Sequence, residues 1–121
     1  MPRNVSSSTV AVTYFDKAGV RKAAEGLARD LAARHPEVEE VILFGSVAWG
    51  TPVPGSDVDL MLVLSESDRP FPDRIGRYVP TGFPVGVDIF PYTRAEIARM
   101  RADGNLLVLD ALRRGVTLFR R

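Results

Sequence analysis

The sequence predicts an α/β fold in which a small mixed β-sheet has helices packed on one face. Three short apolar runs, bounded by turn-forming residues, have the length of buried strands. They alternate with segments whose apolar residues recur at helical spacing. The chain has 121 residues, of which 45% are hydrophobic, so we expect a single domain over 1–121. The polar residues 1–9 at its start are expected to be disordered.

The first helix and the first strand lie on either side of a proline. Asp16 can cap a helix over 17–34, in which apolar residues recur every three or four positions. This helix ends before Pro36, because the residue that precedes a proline is pushed out of the α region. The next segment, 39–44, ends in four consecutive apolar residues and predicts a buried strand.

Two further strands flank a long polar excursion. Residues 57–64 are apolar apart from two aspartates and predict the second strand. Residues 65–84 are rich in proline, glycine and charged side chains, with one helical turn expected at 73–78. The third strand is expected at 85–90, and a short edge strand is expected at 116–119.

Two capped helices are predicted between the third strand and the edge strand. Thr93 and Glu96 form a capping box at the start of a helix over 94–102. Asn105 can cap a further helix over 106–114. The apolar face predicted for that helix consists of Leu106, Leu109 and Leu112.

Composition excludes several classes of function. The chain has no cysteine and one histidine, so disulfides, thiolate chemistry and any site that needs two histidines are excluded. No apolar run approaches the roughly 20 residues of a membrane span, and the N-terminal residues lack the apolar core of a signal peptide. We therefore expect a cytoplasmic location without membrane association. The net charge of +1 gives no basis for expecting direct nucleic-acid binding.

Two aspartates in the second predicted strand are candidate metal ligands. Asp57 and Asp59 are two positions apart, so their carboxylates point to the same face of a strand. Two carboxylates side by side in an apolar sheet repel each other unless a cation compensates their charge. Mg²⁺ takes such oxygen ligands, and a pair of ions roughly 3.5–4 Å apart supports in-line displacement at phosphorus. The alternative is that Asp57 caps a turn and Asp59 faces solvent on an edge strand.

A third isolated acid strengthens the metal interpretation. Asp88 lies inside the third predicted strand, between apolar residues. By itself, this position is equally consistent with a side chain that faces solvent. Together with Asp57 and Asp59 on an adjacent strand, Asp88 would complete a cup of three carboxylates around metal.

A glycine-rich connection, 45–50, follows the first predicted strand. Gly45 lets the backbone approach a ligand closely, and Ser46 supplies a hydroxyl. The N–H groups at the start of a helical turn favour an anion such as phosphate. The segment lacks the Gly-Lys-Ser/Thr ending of a Walker loop, and a simple strand-to-helix turn is the alternative.

Taken together, these motifs resemble the polymerase-beta-like nucleotidyltransferase superfamily, and most closely its minimal domains. The match consists of Gly45-Ser46 followed by Gly50, then Ser56-Asp57-Val58-Asp59-Leu60, and later Asp88 in a strand. The resemblance runs from the helix before Gly45 to the last residue, and the combined motif is much more specific than any of its parts. It implies the nucleotidyltransferase fold, with the site at one edge of the sheet.

The resemblance also implies a role for each matching residue. The residues expected to bind the nucleoside triphosphate, which we expect to be ATP, are Gly45, Ser46 and Ser56. Asp57 and Asp59 would ligate both of two Mg²⁺ ions. Asp88 would bind the catalytic ion and assist deprotonation of the acceptor hydroxyl.

One basic residue of the family pattern is missing. Family members often carry a basic side chain at the position of Val47 or Trp49, and neither residue is basic here. The candidates to contact the triphosphate in its place are Arg69, Arg74 and Arg77, all in the polar excursion.

Minimal members of the superfamily resemble the antitoxin half of toxin–antitoxin pairs. The chain would then transfer AMP from ATP to a hydroxyl, expected to be a tyrosine, of a partner HEPN-type ribonuclease toxin and so silence it. The expected docking region is the arginine-bearing segment 94–121, because arginine is favoured at interfaces and pairs well with acidic groups. Two alternatives stay open: a non-catalytic module that inhibits its partner by occlusion, and a nucleotidyltransferase that acts on a small molecule.

Overall fold

The structure, a computed structural model, describes residues 17–45, 48, 58–82 and 86–121. Its helices and strands are α1 (Lys17–Arg34), β1 (Val38–Phe44), β2 (Val58–Leu64), α2 (Phe71–Tyr78), β3 (Val87–Thr93), α3 (Arg94–Ala102), α4 (Leu106–Arg114) and β4 (Val116–Arg120). Residues 1–9, for which the sequence predicts disorder, lie outside the described ranges. Within those ranges, no helix combines the length and the hydropathy needed to cross a membrane.

The four strands of the described residues form one mixed sheet in the order β3-β2-β1-β4. Strand β1 is antiparallel to both of its neighbours, β2 and β4. Strands β2 and β3 run parallel, and the connection between them contains α2. The predicted α/β fold class and the small mixed sheet are confirmed.

Helices cover both faces of this sheet, whereas the sequence predicts them on one face. Side chains alternate along β2, so that Leu60 and Leu62 point to one face and Met61 and Val63 point to the other. The first face packs on α1 through Val20, Ala24, Ala28 and Leu31. The second face packs on α3 and α4 through Ile97, Val108 and Ala111. A strand that is apolar at nearly every position requires a cover on each side, and β2 has one.

Helix α4 begins and ends where the sequence predicts, but it buries a different face. The Asn105 side chain accepts a hydrogen bond from the backbone N–H of Val108 at 3.1 Å and caps the helix. The buried residues of α4 are Val108 and Ala111, whereas Leu106 is 78% exposed and Leu112 is 39% exposed. The predicted apolar face was therefore wrong, because two stripes of α4 are apolar and helical spacing alone does not select the one that packs on the sheet.

Strand β3 extends beyond its predicted end at Phe90 and passes through Pro91 to Thr93. Proline lacks a backbone N–H, and β3 tolerates it because β3 lies at the edge of the sheet. The predicted capping box follows directly. The Thr93 side chain accepts from the Glu96 N–H at 3.1 Å, and the Glu96 carboxylate accepts from the Thr93 N–H at 2.8 Å.

Candidate functional site

Asp59 and Asp88 lie side by side on the two parallel strands. They are direct partners in the register of β2 and β3, one position after the Val58–Val87 pair at which the pairing begins. Adjacent strands are about 4.8 Å apart, and paired residues of parallel strands point to the same face. Asp59 is half-buried and Asp88 is exposed. The sheet thus brings two of the three predicted metal ligands together on one face.

The surface next to these carboxylates is apolar and aromatic. Phe44 of β1 is the register partner of Asp59 on its other side, and its side chain is buried. Phe90, two positions after Asp88 on the same face, contacts Phe44 edge to face with ring centroids 5.4 Å apart. Apolar surroundings strengthen the repulsion between two carboxylates and equally strengthen their attraction for a shared cation.

Gly45 connects the glycine-rich motif to the acidic pair. It follows β1 with a positive φ of 80°, a conformation that glycine adopts without steric cost. A Cβ built on Gly45 would collide with a carboxylate oxygen, Oδ2, of Asp59. The backbone at Gly45 therefore packs directly against the Asp59 carboxylate, in space that any larger residue would fill.

Three predicted site residues lie outside the described part of the chain. They are Ser46, Ser56 and Asp57. Within the described ranges, no group of three histidine, cysteine, aspartate or glutamate side chains is arranged to hold a metal ion. The residues present nevertheless fit a divalent cation, since Asp59 and Asp88 supply hard oxygen ligands on one face and Gly45 leaves the backbone close to them.

Arg74 is engaged far from the acidic pair. Its guanidinium is buried and forms a two-pronged ion pair with Glu96, with N–O distances of 2.7 and 3.0 Å. It also donates to the backbone carbonyls of Arg69 and Pro91, at 2.7 and 3.0 Å. The hydrogen bonds from Arg74 lower the pKa of Glu96 to about 2. The expectation that Arg74 contacts a triphosphate was therefore wrong, because its donors hold α2 against β3 and α3.

Arg77 belongs to a second cluster at the same end of the sheet. Its side chain lies 3.4 Å from the carboxylate of Glu37, which also accepts a 2.6 Å hydrogen bond from the hydroxyl of Tyr78. Burial, and then the hydrogen bond to Glu37, raise the pKa of Tyr78 to about 12. The His35 ring contacts the Tyr78 ring edge to face, with ring centroids 4.8 Å apart. No local sequence pattern indicates this cluster, because its members come from separate segments of the chain.

A cavity of about 430 Å³ adjoins this second cluster. Its charged lining residues are Glu37, Glu66, Asp68, Arg69, Arg74 and Arg77. Acids and arginines are present in equal number, so the cavity has no clear preference for a phosphate. The cavity lies away from the acidic pair, since its lining residues 66–69 follow the end of β2 at Leu64, which is five positions, or about 16 Å, along the strand from Asp59.

The fold and the motif together agree with a known family. The sequence model of the nucleotidyltransferase domain matches residues 24–110, which is well over half of the chain. The chain therefore belongs to the nucleotidyltransferase domain family. This match confirms the resemblance to nucleotidyltransferases that the sequence motifs indicate. No curated protein matched the sequence.

Similar solved structures share this fold at low sequence identity. A candidate nucleotidyltransferase from Sulfolobus solfataricus is 22% identical with a TM-score of 0.62, covering 96% of this chain and 90% of that one. A toxin–antitoxin structure with AMP-PNP is 18% identical with a TM-score of 0.56, covering 80% and 73%. A mutant of the toxin–antitoxin pair MntA-HpeT is 16% identical with a TM-score of 0.53, covering 88% and 75%. At these identities, the similarity supports the fold.

Proposed function

We propose that this chain is a metal-dependent nucleotidyltransferase that transfers AMP from ATP to a hydroxyl on a partner toxin of the HEPN type. It would act in the cytoplasm as the antitoxin of that partner. The observation that carries the proposal is the register pairing of Asp59 with Asp88, with Gly45 packed against the Asp59 carboxylate, in a chain of the nucleotidyltransferase family.

The similar structures support the choice of donor and partner. Two of them are structures of toxin–antitoxin pairs, and one of these contains AMP-PNP, an analogue of ATP. The other, of the MntA-HpeT pair, is a mutant that carries two substitutions of aspartate by glutamate. These are properties of the relatives, and they favour a protein acceptor for this chain over a small molecule.

Two Mg²⁺ ions would be held by Asp59 and Asp88 together with Asp57. When bound, such ions neutralise charge on the triphosphate and polarise the phosphoryl group that is transferred. The carboxylates supply oxygen ligands only, as Mg²⁺ requires. Gly45 fixes the position of Asp59, since its own backbone fills the space behind that carboxylate. The pair of Phe44 and Phe90 borders the acids on the apolar side of the site.

The reaction is an in-line displacement at the α-phosphorus of ATP. The acceptor hydroxyl oxygen forms a bond to this phosphorus while the bond to the oxygen bridging the α- and β-phosphates breaks. Pyrophosphate leaves, and the hydroxyl proton passes to Asp88, the more exposed of the two described acids. The proposed contacts to the triphosphate are Gly45, Ser46 and Ser56. Positioning and charge stabilisation provide most of the rate in such transfers.

Mass spectrometry of a co-expressed HEPN-type partner tests this function. We expect the partner to gain one or more AMP units with the wild-type chain and none with Asp59→Asn. A partner that is inhibited but unmodified would contradict AMP transfer and favour inhibition by occlusion. Failure to form any stable complex, with label from ATP appearing on a small molecule instead, would favour the small-molecule alternative.

A further inference from the structure

The three arginines expected to replace the missing basic side chain of the family pattern lie far from the acidic pair. Arg74 and Arg77 form ion pairs at the opposite end of the sheet, and Arg69 lines the cavity beside them. We call the end of the sheet at which Asp59 and Asp88 lie the acidic end. Cationic side chains stabilise the charge on transferring phosphoryl groups. A basic side chain at the acidic end therefore has to come from another segment of the chain.

The last turn of α4 reaches the acidic end. Strand β4 begins at Val116, which pairs with Leu43 of β1. The next residue of β1, Phe44, pairs with Asp59. Gly115 joins α4 to β4, and it is so close to β1 that a Cβ built on it would lie 3.1 Å from the backbone oxygen of Leu43. Because neighbouring strands are about 4.8 Å apart, the end of α4 lies about two strand spacings from Asp59.

Helix α4 also lies on the same face of the sheet as the acids. Its buried residues pack in one cluster with Ile42, Met61 and Phe90. Side chains alternate along a strand, so Asp59 is on the same face as Met61. For the same reason, Asp88 is on the same face as Phe90. The C-terminal end of α4 and the two acids therefore border the same surface.

Arg114, the last residue of α4, is on the side of the helix that is turned towards β2 and β3. It follows Leu107 by seven positions, or about two helical turns, so the two side chains lie on one side of the helix. Leu107 packs against the core cluster that contains residues of β2, β3 and α3. Leu112 lies on the other side of α4 and is 39% exposed. Because Arg114 is exposed, its long side chain can extend over the surface beside the acids.

The neighbouring charges of α4 are placed differently. Arg113 lies about 200° around the helix from the buried Ala111, so it faces away from the sheet. Asp110 is on the same side as Arg114, but the rise of the helix places it about 6 Å farther from the acidic end. Arg114 is therefore the residue of α4 that is best placed to meet a phosphate, and Arg113 provides a matched control.

We infer that the guanidinium of Arg114 binds the β- or γ-phosphate of the nucleoside triphosphate. The inference rests on the proposed function, in which the α-phosphorus lies at the acids, so that a group two strand spacings away meets the outer phosphates. A guanidinium donates two parallel hydrogen bonds to phosphate oxygens, and its charge would stabilise the departing pyrophosphate. The family model matches only as far as residue 110, so this contact lies outside the matched range.

The affinities for two nucleotides test this contact without the partner protein. Titration calorimetry in the presence of Mg²⁺ measures binding of ATP and of AMP to the wild-type chain, to Arg114→Gln and to Arg114→Lys. Arg113→Gln is the control, because it removes the same charge from the adjacent residue. Circular dichroism checks the folding of each variant. AMP lacks the β- and γ-phosphates, so loss of a contact to them weakens binding of ATP and leaves binding of AMP unchanged.

We expect Arg114→Gln to weaken ATP binding by about tenfold or more, and Arg114→Lys, which keeps the charge, to weaken it less. Arg113→Gln should bind ATP as the wild type does. Wild-type ATP affinity in Arg114→Gln would overturn the inference, as would an equal loss in Arg113→Gln or an equal loss of ATP and AMP affinity. A wild-type chain that does not bind ATP would overturn the proposed function as well. ATP binding that depends on Arg114, without AMP transfer to the partner, would refute the transfer and support the phosphate contact.

Discussion

The two ends of the central sheet handle charge in opposite ways. At the end where the β2–β3 pairing begins, Asp59 and Asp88 place two like charges side by side on one face. At the other end, acids meet bases: Glu96 binds Arg74, and Glu37 contacts Arg77. Ion pairs within the chain stabilise the fold, whereas two carboxylates on one face supply the oxygen ligands that a divalent cation prefers. The comparison therefore separates a structural end from the proposed catalytic end.

The largest expected effect is at the acidic end. Asp59→Asn keeps the shape of the side chain but removes a negative charge and an anionic oxygen ligand. We expect AMP transfer to fall by roughly 10³-fold or more, since a metal ion contributes several kcal/mol to such a transfer. Folding should be preserved, because removing one of two adjacent like charges relieves repulsion. Steady-state kinetics and thermal melts in metal-free buffer check both statements, and a large fall in melting temperature would identify Asp59 as structural.

At the opposite end of the sheet, where Glu96 binds Arg74, we expect a substitution to reduce stability. Arg74→Met removes a buried guanidinium and leaves the Glu96 carboxylate and two backbone carbonyls without their donor. We expect the free energy of unfolding to fall by about 3 kcal/mol, the lower end for a broken buried pair, because Glu96 is partly exposed. Urea denaturation measures this loss. Transfer activity per folded molecule should stay at the wild-type level, and a specific loss of activity would place Arg74 in catalysis after all.

Substitution of two glycines separates the effect of backbone strain from the effect of displacing the Asp59 carboxylate. Gly45 and Gly104 both have positive φ, 80° and 75°, but a Cβ meets Asp59 at Gly45 and open space at Gly104. Both Gly45→Ala and Gly104→Ala should cost about 1–2 kcal/mol of stability through backbone strain. Gly45→Ala should in addition reduce transfer about 100-fold by displacing the carboxylate. Equal activities of the two variants would contradict the close packing of Gly45 on Asp59.

A further expected effect is an acid-dependent loss of stability at the end of the sheet where Glu96 binds Arg74. The pKa of Glu96 is about 2 in the folded protein against an ordinary value of 4.5, chiefly because of its hydrogen bonds from Arg74. The contribution of ionised Glu96 to the free energy of unfolding is therefore complete above pH 4.5 and is lost as the pH falls towards 2. Glu96→Gln keeps the capping box but lacks this charge. At pH 7, the free energy of unfolding of the wild type should exceed that of Glu96→Gln by about 2 kcal/mol, and this difference should disappear as the pH falls below 4.5. Urea denaturation at several pH values measures the difference. A difference that does not depend on pH would exclude the ion pair as its cause.

Local signals predicted much of this fold. The capping box of Thr93 and Glu96 and the cap at Asn105 require residues only three positions apart, so they can be read from sequence. Helix α1 spans the range predicted for it. The choice of the buried face of α4 was missed, since it depends on the sheet surface that Val108 and Ala111 contact.

For the candidate site, the sequence indicated two acids that the sheet places side by side. Asp59 and Asp88 are 29 positions apart, yet each is an isolated acid in an apolar strand, and that pattern indicated them. The role of Arg74 could not be predicted, because its partner Glu96 lies 22 positions away and no local pattern links the two. The assignment of triphosphate and metal contacts to Ser46, Ser56 and Asp57 stays a prediction.

The central claim is that the acidic end transfers a nucleotide, and the fate of labelled ATP tests it most directly. The purified complex of this chain with its HEPN-type partner is incubated with Mg²⁺ and ATP labelled on either the α- or the γ-phosphate. We expect the partner to acquire label from α-labelled ATP alone, with the γ-label released as pyrophosphate, and we expect Asp59→Asn to prevent both. Transfer of the γ-label, or hydrolysis of ATP to ADP without labelling of the partner, would contradict nucleotidyl transfer.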